Sequence, residues 1–104
     1  MHTGALERRI AAKALIDTPE EWTQGGYSVG TQLCAYGALT KAVCGMAGYW
    51  TPNADRSREL LIKSLPSSYW RKKGVAAFND SRNRVHADIM ALYDRAIAAA
   101  DVPA

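Results

Sequence analysis

Histidine and cysteine are scarce in this chain, two of each among 104 residues, and their placement argues against metal chemistry. A zinc site wants four Cys, His or carboxylate ligands at characteristic spacings. Here Cys34 and Cys44 stand ten apart, and His2 and His86 lie near opposite ends. Long apolar runs are missing as well. No window approaches the ~20 apolar residues of a membrane-spanning helix, and Glu7, Arg8 and Arg9 interrupt the N-terminal stretch before it reaches the length of a signal peptide's apolar region. The expected compartment is the cytoplasm. With both cysteines on one helix, a rise of ~1.5 Å per residue separates them by about 15 Å, beyond disulfide reach, so they read as reduced, buried thiols. Low complexity is confined to a short alanine-rich end, and 22% charged with 48% hydrophobic residues is the balance of an ordinary globular protein. The composition argues against intrinsic disorder, and residues 1–104 read as a single helical domain.

Acidic residues are also thin in one region. Between Arg56 and His86, eight basic residues (Arg56, Arg58, Lys63, Arg71, Lys72, Lys73, Arg82 and Arg84) stand against Glu59 and Asp80, although the net charge of the whole chain is only +3. The middle of the chain is a basic segment between nearly balanced ends.

What is present is helical periodicity. Leu6, Ile10 and Ala14, flanked by Ala11 and Leu15, predict an amphipathic helix over 4–16 with Glu7, Arg8 and Lys13 in water. Asp17-Thr18-Pro19 ends it, and Thr18 can cap a short turn with Pro19 first and Trp22 following. Three glycines make 23–31 a loop, with room for a short extended piece. Residues 32–46 are apolar almost all round, which predicts the central, most buried helix. Gly37 inside it costs about 1 kcal/mol relative to Ala and implies close approach of another backbone. Tyr49-Trp50-Thr51-Pro52-Asn53 reads as a turn whose exposed aromatic pair is a candidate interface. A third helix spans 55–65, with Leu60, Leu61 and Leu65 inward and Pro66 ending it. Residues 67–74 read as a short helical turn or loop, and 75–78 as one helical turn. Val85, Ile89, Leu92, Tyr93, Ala96, Ile97 and Ala100 define a last helix over 84–100. The fold class is all-α: four or five helices around the 32–46 helix, with Trp22, Phe78 and Tyr93 in or beside the core.

Four groups of residues are candidates for chemistry. Asn79 and Asp80 follow an apolar turn. They suit a backbone cap, the commoner role for such a pair, or a ligand-binding carboxylate and general base whose pKa the neighbouring Arg82 and Arg84 would lower. Cys34 with His86 as base is conceivable as a nucleophilic pair, against the commoner role of Cys34 as a small packed hydrophobe. The loop Gly25-Gly26-Tyr27-Ser28-Val29-Gly30-Thr31 precedes a helix, whose N-terminal amides bind anions elsewhere. Yet it lacks the spacing and Lys of a P-loop, and no dinucleotide fingerprint fits. No cofactor is expected. Tyr69-Trp70-Arg71-Lys72-Lys73, with Arg82 and Arg84, forms a basic patch with aromatics that suits nucleic-acid phosphates or an acidic partner.

Three segments taken together, Trp22-Thr23-Gln24-Gly25, Cys34-Ala35-Tyr36-Gly37-Ala38-Leu39 and Ala77-Phe78-Asn79-Asp80 with the stripe from Asp88 to Ile97, resemble in order and spacing an uncharacterised family of small proteins from high-GC bacteria, especially actinomycetes, and their phages. The resemblance covers most of the chain. It implies a compact module and a phage or mobile-element origin, and it transfers no catalytic residues. One departure stands out. Where the family carries Thr in a capping box before the last helix, this chain has Val85 ahead of Asp88, so the box is expected to be lost, with Asn83 or Asp80 capping instead. The motifs also make physical sense as one assembly, with Trp22 over the small-residue surface near Gly37, Phe78 in the core and Asn79 bonding the glycine loop.

The expected function is a non-catalytic interaction or regulatory protein acting on a host protein, because no complete catalytic set can be assembled. A nucleic-acid-binding module using 56–86 is the second candidate. The third is a small-molecule binder or enzyme at Asn79 and Asp80, where Trp22 and Gln24 are the other candidate binding residues. Oligomeric state is not readable from the sequence.

Overall fold

The computed structural model describes residues 4–51 and 56–99. Among them are six α-helices: α1 (Ala5–Leu15), α2 (Ala35–Cys44), α3 (Ser57–Lys63), α4 (Ser68–Lys73), α5 (Val75–Asn79) and α6 (His86–Ala98). A 3₁₀ turn at Pro19–Glu21 and a two-stranded antiparallel hairpin, β1 (Ser28–Val29) with β2 (Gln32–Leu33), fill the interval between α1 and α2. The fold is mainly α, and α2 contributes more buried residues than any other described helix: Ala35, Gly37, Ala38, Leu39 and Thr40.

The central helix is shorter than its apolar composition suggests. Gln32 and Leu33 are extended, because Leu33 pairs with Ser28 and also bridges Trp22 in parallel. At the other end Gly45 adopts φ 82°, a left-handed cap natural to glycine, which leaves Met46 62% exposed outside the helix. Gly37 has its close neighbour: a Cβ there would meet the backbone carbonyl of Tyr27, with the carbonyl carbon at 2.9 Å.

The inward face of α1 differs from the expected stripe. Arg9, Ala12 and the following Ile16 are buried, while Leu6 and Ile10 are 41% and 47% exposed. Small Ala12 permits a close approach to α2, the neighbour on which α1 packs most. Arg9 Nη2 donates to the Ala99 carbonyl at the end of α6 (3.4 Å), where a cation faces the negative end of the helix dipole. Lys13, half-buried, pairs with Asp94 of α6 at 2.8 Å.

Leu60 and Leu61 of α3 and Leu65 just beyond it are buried, as their spacing predicts. Asp55, the expected start of α3, lies outside the described residues, as do Pro52 and Asn53 of the preceding turn and Ala100 at the end of α6. Of the aromatic pair in that turn, Tyr49 is exposed and Trp50 packs partly against the core. Within residues 67–74 a true helix forms, α4, whose N-cap Ser67 accepts from the Trp70 amide at 3.3 Å. Gly74, at φ 101°, separates α4 from α5, a conformation that a side chain would strain. In α6, Ile89, Leu92, Tyr93 and Ala96 face the core, but Val85 is an exposed N-cap rather than part of the stripe. Half of a capping box survives there. The Val85 amide donates to the Asp88 carboxylate at 3.2 Å, while no N-cap side chain accepts from the first-turn amides and Asp80 is engaged with Gly25 instead, so the expected substitute cap is not formed. No helix among the described residues is long and apolar enough to cross a membrane.

Candidate functional site

Asn79 is the last residue of α5 and is completely buried. Its side chain uses every hydrogen-bonding position it has. Oδ1 accepts from the Trp22 indole Nε1 at 2.7 Å and from the Ala35 amide, the first of α2, at 2.9 Å. Nδ2 donates to the Thr23 carbonyl and to Asp80 Oδ1, each at 3.0 Å. Asp80 Oδ1 also takes the Gly25 amide at 2.9 Å, and Gln24 Nε2 returns to the carbonyls of Asn79 (2.8 Å) and Ser81 (3.0 Å). Trp22, Gln24, Asn79 and Asp80, the four candidate binding residues, therefore converge in space and bond one another or adjoining backbone.

The other reactive candidates are also engaged. Cys34 is the N-cap of α2, and its sulfur accepts from the Gly37 amide at 3.2 Å. Burial pushes its thiol up from the ordinary value, opposed by backbone hydrogen bonds, and a nearby Asp80 charge adds to the rise. A raised pKa suppresses the thiolate that nucleophilic chemistry needs. His86 opens α6 and bonds the Ile16 carbonyl through Nε2 at 2.7 Å, with the Trp22 ring 6.1 Å away. The anion reading of the glycine loop meets the same obstacle: the Gly25, Ala35 and Gly37 amides already have side-chain acceptors. Both cysteines are free thiols, Cys34 buried and Cys44 only half-buried beside Thr51, its sulfur 3.8 Å from the Thr51 hydroxyl. No group of three or more His, Cys, Asp or Glu among the described residues could hold a metal ion.

The basic segment is divided by its own packing. Arg84 turns inward: its guanidinium lies 3.7 Å from the Phe78 ring centroid and 5.1 Å from that of Trp70, and Nε donates to the Phe78 carbonyl at 2.8 Å. Arg71 Nη1 donates to the Leu65 carbonyl at 3.0 Å. Lys72 and Arg82 are exposed. Lys73 lies over the ring of the exposed Tyr69, 5.6 Å from its centroid.

Lys73 also borders a cleft of about 220 Å³ between α3 and the α4–α5 junction, together with Arg58, Ile62, Val75, Tyr27 and Tyr36. The Arg58 guanidinium stands 5.9 Å from the Tyr36 ring centroid, and Tyr27 and Tyr36 are tilted against each other at 5.7 Å. No acid is found among the described residues lining the cleft, and neither Arg58 nor Lys73 pairs with a described carboxylate. Burial raises the Tyr36 pKa, with Arg58 opposing, so its phenol stays protonated as a donor. A second recess of about 250 Å³ adjoins the first, sharing Tyr27 and Ala76 and reaching Cys34 and Asp80. Sequence reasoning missed Tyr27, Tyr36 and Arg58 as a group. The available signal was Tyr36 itself, a polar-tipped aromatic in a largely apolar helix. Nothing in the linear order brings it to Arg58.

No curated protein and no solved structure matches the chain. A family match covers residues 5–99, which include the whole Trp22–Asn79 network and the cleft. By that match, the chain belongs to DUF6197, a family of unknown function.

Proposed function

We propose that this is a non-catalytic interaction protein that binds an acidic protein partner through the Tyr27, Tyr36, Arg58 and Lys73 face. One observation carries the reading: cations without acidic partners flank a concave, tyrosine-lined cleft, whereas Cys34, Asn79, Asp80 and His86 are all held by structural bonds. The basic, aromatic chemistry complements an acidic surface, and aromatic and Arg side chains dominate binding energy at protein interfaces. The resemblance to actinobacterial and phage proteins adds a phage or mobile-element origin, with a host protein as the partner in the cytoplasm. Affinity capture tests it. Wild-type protein retains a specific acidic protein at low salt, and Arg58→Glu with Lys73→Glu releases it. Retention that ignores both substitutions retires the reading.

A second reading, single-stranded nucleic acid, draws on the contact of Lys73 with exposed Tyr69, which extends the row of cations and tyrosines beyond the cleft. It requires a gel shift that weakens steeply with salt and on changing Arg71, Lys72 and Lys73 to Ala.

A further inference from the structure

We propose that the cleft between Arg58 and Lys73 receives a phosphorylated tyrosine side chain of the partner protein. This rests on the interaction-protein reading and names the group recognised. Charge gives the first reason. Two cations face the cleft with no described acid lining it, and a phosphomonoester carries about −1.5 to −2 at neutral pH, where a carboxylate would neutralise only one of them. Donor geometry is the second. The Arg58 fork can engage two phosphate oxygens, Lys73 supplies a mobile point charge, and the Tyr36 hydroxyl, which bonds no described residue, is a third donor.

Size and lining select the body that carries the phosphate. The cleft itself, at about 220 Å³, has room for one side chain, and the adjoining recess of about 250 Å³ leaves room for a neighbouring residue of the partner, with AMP as the probe that separates this from a nucleotide site. Ile62, Val75 and Ala76 add apolar surface to the same cleft. That surface favours an aromatic ring over the short stem of phosphoserine, which would leave it uncovered.

The test uses the full chain and three probes, phenyl phosphate, inorganic phosphate and AMP, followed by calorimetry and by amide shifts in NMR. Phenyl phosphate is expected to bind saturably, at least about tenfold tighter than inorganic phosphate, because the ring contributes. Arg58→Gln and Lys73→Gln are each expected to weaken it by about tenfold or more, with Arg58→Lys failing to restore it. Arg58 and Lys73 are exposed, so unchanged circular dichroism and melting temperature will show that the variants fold. Equal affinity for phenyl and inorganic phosphate, tighter binding of AMP, or indifference to both substitutions overturns the proposal. A separate arm treats the lysate with phosphatase before capture. Loss of the captured protein supports the phosphate. Capture that survives treatment yet still needs Arg58 and Lys73 overturns the phosphate and leaves the acidic-partner reading intact.

Discussion

The backbone carbonyl of Tyr27 occupies the space where a side chain on Gly37 would begin. Hairpin and central helix are thereby locked at backbone contact, and the Cys34 amide reinforces the approach by donating to the same Tyr27 carbonyl at 3.2 Å. Gly37→Ala gains about 1 kcal/mol of helix propensity but must push the hairpin away. A net loss of about 2 kcal/mol is expected in urea unfolding, as for other overpacked sites. A stabilised variant would show that the contact relaxes freely.

Replacing Asn79 tests the buried network. Asn79→Ala leaves the Trp22 indole, the Ala35 amide and the Thr23 carbonyl without their partner, a loss of about 3 kcal/mol or more. Asn79→Asp keeps the acceptor but sets an acid against the Thr23 carbonyl and the Asp80 carboxylate. Its deficit is expected to shrink as the solution is acidified, which unfolding midpoints across pH will show.

The two thiols differ in reach. Cys44 should react with a thiol reagent in the native protein, while Cys34, 2% exposed and with its pKa raised by burial, reacts only on unfolding. Mass spectrometry of partly labelled protein distinguishes them. Early labelling of Cys34 would contradict its burial.

Stability falls in alkali. Burial raises Cys34 above its ordinary 9.0 and Tyr93 well above 10.0, so the unfolded chain releases those protons first and gains relative to the fold. Lys13 acts in the same direction: the hydrogen bond with Asp94 raises its pKa above 10.5, and its contribution, full below that value, disappears as pH climbs through the folded pKa. Urea midpoints are expected to decline from about pH 9 upward, less steeply above pH 10 in Tyr93→Phe. A midpoint that holds level through this range would count against the assignment.

Helices were legible wherever one face alternated strongly. Ile89, Leu92, Tyr93 and Ala96 of α6 and the leucines of α3 fall where periodicity puts them, Val85 excepted, and Gly37 announced its close neighbour. The α1 face was misread because its inward row contains Arg9, whose guanidinium reaches the end of a helix ninety residues later. The start of α2 was misread because Gln32 and Leu33 pair into the hairpin instead of extending the apolar helix that follows. Asn79, Asp80, Trp22 and Gln24 were nameable individually, since capping residues and indoles have few roles. Their mutual bonds follow from packing. The cleft was harder still, because Tyr27, Tyr36, Arg58 and Lys73 come from a loop and three helices, and no periodicity links them.

The amide that opens the central helix finds its acceptor 44 residues downstream, on Asn79. Beside its own local cap at Cys34, the first turn of α2 is thereby tied to the docking of α5, and the two are expected to form together with the Trp22 segment. Contacts of such long sequence separation slow folding and bind distant segments into one cooperative unit. Hydrogen exchange at Ala35 and at the Trp22 indole should therefore match the slowest core amides, and the chain between them should open only when the whole molecule does.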